Sequence, residues 1–388
     1  MSPAASLRDV AWITGVGQTD YSRRSGRSDL TLSVQAIEAA ATDAGISLRE
    51  IDGLVTYQRL VPVEDVASTL GIDNLRFAGT SHLGGASSVE GLMLAALALQ
   101  AGLARNVVVY CARNGSSGSR ISDRVLGRVP GRQLREQLEW PYGLSLPAQW
   151  LSLVCRRHMH EFGTTREHLG HVAVTMRDHA QLNPAALTSG WPITLVDYMA
   201  SEPIAEPYHK LDCCLESDGG AAVVLSTVDR ARAGIKSPVA LTGVAVGQPQ
   251  SQDDLIGRRD WFASGVRPAA AAAMAMAGAS AADIDVAMIY DCFTFEVIHQ
   301  LEEVGFCQPG EGGPFVASGA IHLGGSLPVN PHGGLLAEAH MMGMNHVIEA
   351  VRQLRRECGA RQVPHARLAA VTGWGGMGDG AVAVLRAD

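Results

Sequence analysis

Residues 84–102 read GGASSVEGLMLAALALQAG, a double glycine followed by small and apolar residues on nearly every helical face. A helix that is apolar all round belongs at the centre of a protein, so this stretch predicts a buried helix opened by a glycine turn. A similar pattern starts at Gly333-Gly334, and each predicted central helix therefore begins with two glycines, where another backbone can approach closely. Short apolar runs predict strands at residues 10–16, 53–57, 239–244 and 286–290.

These runs repeat. AGISLREID at 44–52 and AGASAADID at 277–285 share the pattern A-G-x-S-x-x-acid-I-D at an offset of 233, and each precedes an apolar strand ending in tyrosine, Tyr57 or Tyr290. The Thr14-Gly15 and Thr242-Gly243 pairs are offset by 228, but GAAVVL at 220–225 and GAVAVL at 380–385 by only 160. The first half thus carries roughly 68 extra residues, placed at about 114–211, which read as an inserted loop domain. The expected division is residues 1–235 and 236–388, each half alternating strands with helices in an α/β arrangement.

The chain has 388 residues, 47% of them hydrophobic, and a formal net charge of −8. No basic run is dense enough for nucleic acid, and Arg23 to Arg27 and Arg352 to Arg361 read as solvated surface. No segment has the apolar length of a membrane span, and the first residues lack a signal-peptide pattern. Seven cysteines without a C-x-x-C pair indicate neither a disulfide framework nor a zinc ribbon, so a reduced, cytoplasmic protein is expected. His158 and His160 read as residues of a surface helix, and no metal site is assigned.

The first predicted central helix has the N-terminal dipole that suits a nucleophile, yet no Cys, His or Lys stands at its start. The second half supplies candidates. Tyr290, Asp291 and Cys292 follow a predicted strand, where α/β folds place their sites, and Asp291 is positioned to cap a helix over 293–304. His340 lies in the Gly-rich segment NPHGGLLAEAH, and the loop GWGGMGDG at 373–380 offers backbone N–H groups to an oxyanion.

Together, ITGVGQTDYSRRSGRS, LDCCLESDGGAAVVL, YDCFTFEVIHQLEEVGF and NPHGGLLAEAH make the whole chain resemble the thiolase superfamily. The likeness is to its sterol-carrier-protein and lipid-transfer-protein branch, including bacterial side-chain aldolases. The resemblance implies a five-layered α-β-α-β-α fold of two repeated halves, with a loop domain in the first. It puts Gly85 where thiolases carry the cysteine nucleophile, Thr372 at the second cysteine, His340 at the family histidine and Tyr290 at an asparagine. Without a thiolate no acyl-enzyme forms, and Ser87 or Ser88 would substitute only beside a base.

The resemblance further implies a retro-aldol cleavage of a β-hydroxyacyl-CoA thioester by acid–base catalysis through Tyr290 and His340. In the aldolase branch tyrosines stand at both positions, and this chain departs from that at His340. CoA enters as part of the substrate, with no cofactor bound by this chain. A homodimer is implied, as is a separate small partner with a zinc ribbon and an OB-like domain. A thiolase-type acyltransferase and a non-catalytic acyl-CoA- or lipid-binding subunit are the alternatives.

Overall fold

The computed structural model describes residues 6–57, 61–118, 120, 132–250, 255, 258–375 and 378–388. Its strands are β1 (Trp12–Gln18), β2 (Gly53–Tyr57), β3 (Phe77–Ser81), β4 (Asn106–Asn114), β5 (Pro203–Ala205), β6 (Tyr208–His209), β7 (Asp218–Ser226), β8 (Val239–Gly247), β9 (Val286–Met288), β10 (Leu368–Trp374) and β11 (Gly380–Ala387). The main sheet runs β3-β2-β4-β7-β1-β8-β11-β10-β9, which reads as one strand order followed by its mirror image. In the first half β2 is parallel to β3 and β4, and β7 is antiparallel to β4 and β1. In the second, β9 is parallel to β10 and bridges Val329 in parallel, while β11 is antiparallel to β10 and β8. The halves join through a short antiparallel pairing of β1 with β8, Trp12 to Ala240 and Ile13 to Val239. Tyr57 and Tyr290 thus stand at corresponding ends of corresponding strands.

The helices are α1 (Asp29–Ala44), α2 (Val63–Leu70), α3 (Ser87–Gln100), α4 (Arg132–Leu138), α5 (Pro147–Phe162), α6 (Arg166–Gln181), α7 (Leu195–Met199), α8 (Val228–Arg232), α9 (Val266–Ala277), α10 (Thr294–Val304), α11 (Gly312–Ala317), α12 (Gly334–Ala337) and α13 (Met344–Leu354). Alternation along the strands sorts them into layers. Val108, Tyr110, Ala222 and Val224 face α1 and α2. Val107, Val109, Ala221 and Val223 face inward with Ala369, Val371, Ala381 and Ala383, and α3 and α13 lie among them. Ala370, Val382 and Val384 face α9 and α10 on the far side. The order is therefore helix, sheet, helix, sheet, helix.

Among the described residues four helices and the β5–β6 hairpin lie between β4 and β7, where the second half has five residues between β10 and β11. From this insertion α6 packs on α10, α11 and α12. No helix among the described residues is long and apolar enough to cross a membrane.

Three sequence expectations change. The second central helix does not run from Gly333: α12 ends at Ala337, and α13 starts afresh at Met344. Met342 and Gly343 hold φ of 53° and 83°, left-handed values that no α-helix passes through, and the break turns the chain at His340. His158 is fully buried, bonded to Thr164 Oγ1 (2.8 Å) and Glu302 Oε2 (3.1 Å), while His160 of the same helix is exposed. The arginines at 352–361 are only partly solvated. Arg355 bonds Asp43 and the Thr14 carbonyl, tying the last helix to the first half, and Arg361 grips Glu349 with two nitrogens at 2.9 and 3.0 Å.

At the start of β7, Asp218 collects the loops above the sheet. It accepts from the backbone N–H of Ser25 (2.9 Å), Ser116 (2.8 Å) and Ser117 (3.0 Å) and from the hydroxyls of Ser25 and Ser117. Burial raises the carboxyl's pKa, but the Ser117 hydroxyl and these N–H groups outweigh it and hold it at about 2. A depressed carboxylate contributes stability that is complete above its unfolded pKa of ~3.9 and is lost as pH falls through the folded value. Asp218→Asn is expected to melt below the wild type at pH 6, with the gap in Tm closing between about pH 4 and pH 2. A gap that stays constant over that range would contradict this role.

Candidate active site

The site is built where β9 and β10 end beside the start of α3. Tyr290 follows β9 and is held through its backbone. Its N–H donates to Thr372 Oγ1 (3.0 Å), Thr372 Oγ1 donates to Gln300 Oε1 (2.6 Å), and Gln300 Nε2 returns to the Tyr290 carbonyl (2.7 Å). Asn330, with φ of 49°, pairs its amide with the preceding residue: Ile289 N–H donates to Oδ1 and Nδ2 donates to the Ile289 carbonyl, both at 2.8 Å. Thr372, expected at the place of a second thiol, is thus a clamp on Tyr290.

The Tyr290 ring lies across the start of α3. A Cβ built on Gly85 would overlap the Tyr290 ring end and hydroxyl oxygen, and the Trp374 carbonyl as well. The space in front of the helix is therefore filled, and the filler is Tyr290. On the other side of the ring stands Gly343, whose own Cβ would fall 3.2 Å from Tyr290 Cδ2.

His340 lies on the segment between α12 and α13. Its N–H donates to Ser217 Oγ (2.8 Å), and the Met342 carbonyl beyond it accepts from Ser88 Oγ (2.6 Å). Its imidazole reaches both ways: Nε2 lies 3.2 Å from the Tyr290 hydroxyl and Nδ1 lies 2.9 Å from Arg113 Nη1. Guanidinium has no acceptor, so Nδ1 must accept and the proton of a neutral ring sits on Nε2, donating to Tyr290. Burial, the Arg113 cation and His346 together push the His340 pKa well below its usual value, which keeps the ring neutral. Burial, Cys292, Cys214 and Tyr57 push Tyr290 well above its usual value despite Arg113, which keeps the phenol protonated.

The two residues singled out in the sequence are therefore in hydrogen-bond contact. The others take different parts. Asp291 does not cap α10, whose N-cap is Phe293; its carboxylate accepts from Leu335 N–H (2.8 Å) and Leu336 N–H (3.2 Å) at α12 and lies 3.1 Å from His346 Nε2. Ser88 is spent on Met342, and the Ser87 hydroxyl is buried with no hydrogen-bond partner among the described residues, so neither serine is bonded to a base there. The Cys292 thiol is pushed well above its usual pKa by burial, Glu296 and Cys214, so it is not a resting thiolate. In the glycine loop, Gly376 and Met377 lie outside the described residues. The N–H groups of Gly375 and Gly378 are used inside the turn, to Asp379 O (2.7 Å) and Gly375 O (3.0 Å).

Arg113 and Asn330 were not among the sequence candidates. The signals were an arginine ending an apolar strand and the Asn that opens NPHGG. Neither reveals its partner without the fold.

Fold and site define an α/β enzyme of five layers whose seat for a nucleophile is filled by a tyrosine bonded to a histidine. The family Thiolase C-terminal domain-like matches residues 247–387. A steroid side-chain-cleaving aldolase of Thermomonospora curvata is 41% identical over 373 residues, 90% of this chain and 91% of that one. A 17-hydroxy-3-oxo-4-pregnene-20-carboxyl-CoA lyase of Mycobacterium tuberculosis is 39% identical over 369 residues, 90% and 92% of the two chains. The solved structure described as Ltp2-ChsH2(DUF35) aldolase superposes with a TM-score of 0.92 at 38% identity, covering 99% of both chains. The chain belongs to the thiolase superfamily, in its lipid-transfer-protein branch of side-chain aldolases, and is a carbon–carbon lyase of thiolase fold.

The exclusion between residue 85 and Tyr290 makes a direct prediction. Gly85→Ala should destabilise the protein by about 1–3 kcal/mol, the usual cost of overpacking. Adding Tyr290→Ala removes the ring but leaves the Trp374 carbonyl in the way, so it should return only part of that loss, and the two changes will be non-additive in a denaturant cycle. Additive effects would place the Tyr290 ring elsewhere.

Proposed function

We propose that the chain cleaves a β-hydroxyacyl-CoA thioester by retro-aldol chemistry, with Tyr290 exchanging protons with the substrate and His340 steadying the Tyr290 oxygen. The observation that carries this reading is the Tyr290 hydroxyl, 3.2 Å from His340 Nε2, in the space a nucleophile's side chain would need. In the reaction the Cα–Cβ bond breaks, the β-hydroxyl becomes a carbonyl, and the electron pair passes into the thioester enolate. The proton lost by the hydroxyl equals the one the α-carbon gains. A neutral phenol that accepts the first and releases its own closes that balance, with no net charge change in a buried site. The His340 Nε2–H donates to the phenol oxygen and holds any negative charge that builds there.

The substrate class follows the relatives: the lyase named above suggests a 17-hydroxysteroid whose short side chain on carbon 17 ends in the CoA thioester. CoA is part of the substrate, with no further cofactor held by this chain. A homodimer in the cytoplasm is part of the proposal. So is a separate small zinc-ribbon and OB-like protein, in keeping with the second component in the name of the similar structure.

The test supplies 17-hydroxy-3-oxo-4-pregnene-20-carboxyl-CoA, and a panel of shorter β-hydroxyacyl-CoA thioesters, with and without such a partner. The carbonyl fragment and the shortened acyl-CoA are measured. Tyr290→Phe and His340→Ala are each expected to lower kcat about 100-fold or more with melting temperature preserved. His340→Gln, which keeps an N–H donor but no basic nitrogen, should retain more activity than His340→Ala. Equal losses would indicate that His340 acts as a base instead. Wild-type rates in Tyr290→Phe would remove Tyr290 from the chemistry.

A further inference from the structure

Arg113 is buried at the end of β4, with 2% of its surface exposed. A buried cation normally faces a carboxylate, because desolvation costs several kcal/mol per ion unless a counter-charge offsets it. Arg113 has none among the described residues. Its Nη1 bonds His340 Nδ1 (2.9 Å) and Met342 Sδ (3.2 Å), both neutral, and its Nε has no hydrogen-bond partner among the described residues. The arrangement is costly in the resting protein and becomes favourable when negative charge appears nearby.

We infer that Arg113 is a positioning residue for the aldol cleavage, fixing His340 as an Nε2–H donor toward Tyr290 and supplying through it the counter-charge for the reacting oxygen. This rests on the Tyr290–His340 reading above. The guanidinium can only donate, so it holds Nδ1 unprotonated and leaves a single tautomer for the ring. The same Nη1 reaches Met342, whose left-handed backbone shapes the turn after His340, so one side chain fixes both the protonation and the place of the imidazole. The positive charge is relayed through a polarised ring to the Tyr290 oxygen, where low dielectric makes it count.

The test has one readout independent of activity. In the wild-type chain carrying 15N-labelled histidine, long-range 1H–15N spectra, with His340 assigned through His340→Gln, should show Nε2 protonated and Nδ1 bare. Arg113→Met should give a mixed or reversed tautomer. With the thioester used above, Arg113→Met should lower kcat about 10- to 100-fold, the worth of a hydrogen bond to a charged group, while KM changes less than about threefold. Arg113→Lys should recover part of the lost kcat.

An Nδ1-protonated His340 in the wild type overturns the inference, and decides it even if Arg113→Met fails to fold. So does a raised KM with kcat unchanged, which would make Arg113 a direct ligand contact. If the tautomer shifts as expected but the wild type cleaves none of the thioesters, the aldolase reading fails while the effect of Arg113 on His340 stands.

Discussion

The structure turns on one steric exclusion. A side chain at residue 85 would claim the volume held by the Tyr290 ring and the Trp374 carbonyl, so the two cannot stand together at the head of α3. In this chain the helix start is glycine and the tyrosine fills the place. The rest of the site secures that choice. Thr372 and Gln300 clamp the Tyr290 backbone, Asn330 clamps Ile289, and Gly343 leaves room for the other face of the ring. A buried aromatic tied on both sides has little freedom to leave, which is what a group needs if its hydroxyl must meet a substrate at a fixed point.

Chemistry then follows from what burial does to charge. A low-dielectric environment disfavours both phenolate and imidazolium, so the resting pair is neutral and its proton positions are set by donor and acceptor inventory. Arg113 decides which imidazole nitrogen carries the proton, and the break between α12 and α13 decides where that nitrogen points. A continuous helix through residues 338–343 would carry His340 along with its turn. The left-handed pair Met342 and Gly343 frees it from the helical path, and Ser88 and Ser217 hold the result. Backbone strain of this kind is retained only where the surroundings over-determine it.

The two halves share strand order yet differ in what they contribute. Tyr57 and Tyr290 end matching strands, but the Tyr290 ring crosses the start of α3 to meet His340. The insertion between β4 and β7 sends α6 across to α10, α11 and α12, so an element of the first half packs on helices of the second. Asp218 sits at the return of that insertion into the sheet and ties its flanking turns.

The repeat was legible in the chain's own periodicity, and Tyr290 and His340 stood out as candidates, while the five layers and the pairing of those two residues were what the family resemblance implied. The first depends on matched offsets along the chain, the rest on motifs read in one dimension. Sequence by itself also indicated that no thiol stands at residue 85. It misjudged the caps and surfaces: Asp291 turned to α12, His158 and Arg355 turned inward, and the second central helix broke. Tertiary structure alone decided these, because a capping carboxylate, an imidazole or a guanidinium goes to whatever donor or acceptor the fold brings within 3 Å or so, however far away in the chain. Arg113 and His340 stand 227 positions apart and Tyr290 and Thr372 82 apart. No pattern in the intervening residues encodes those meetings; the stacking of two sheets around α3 and α13 does.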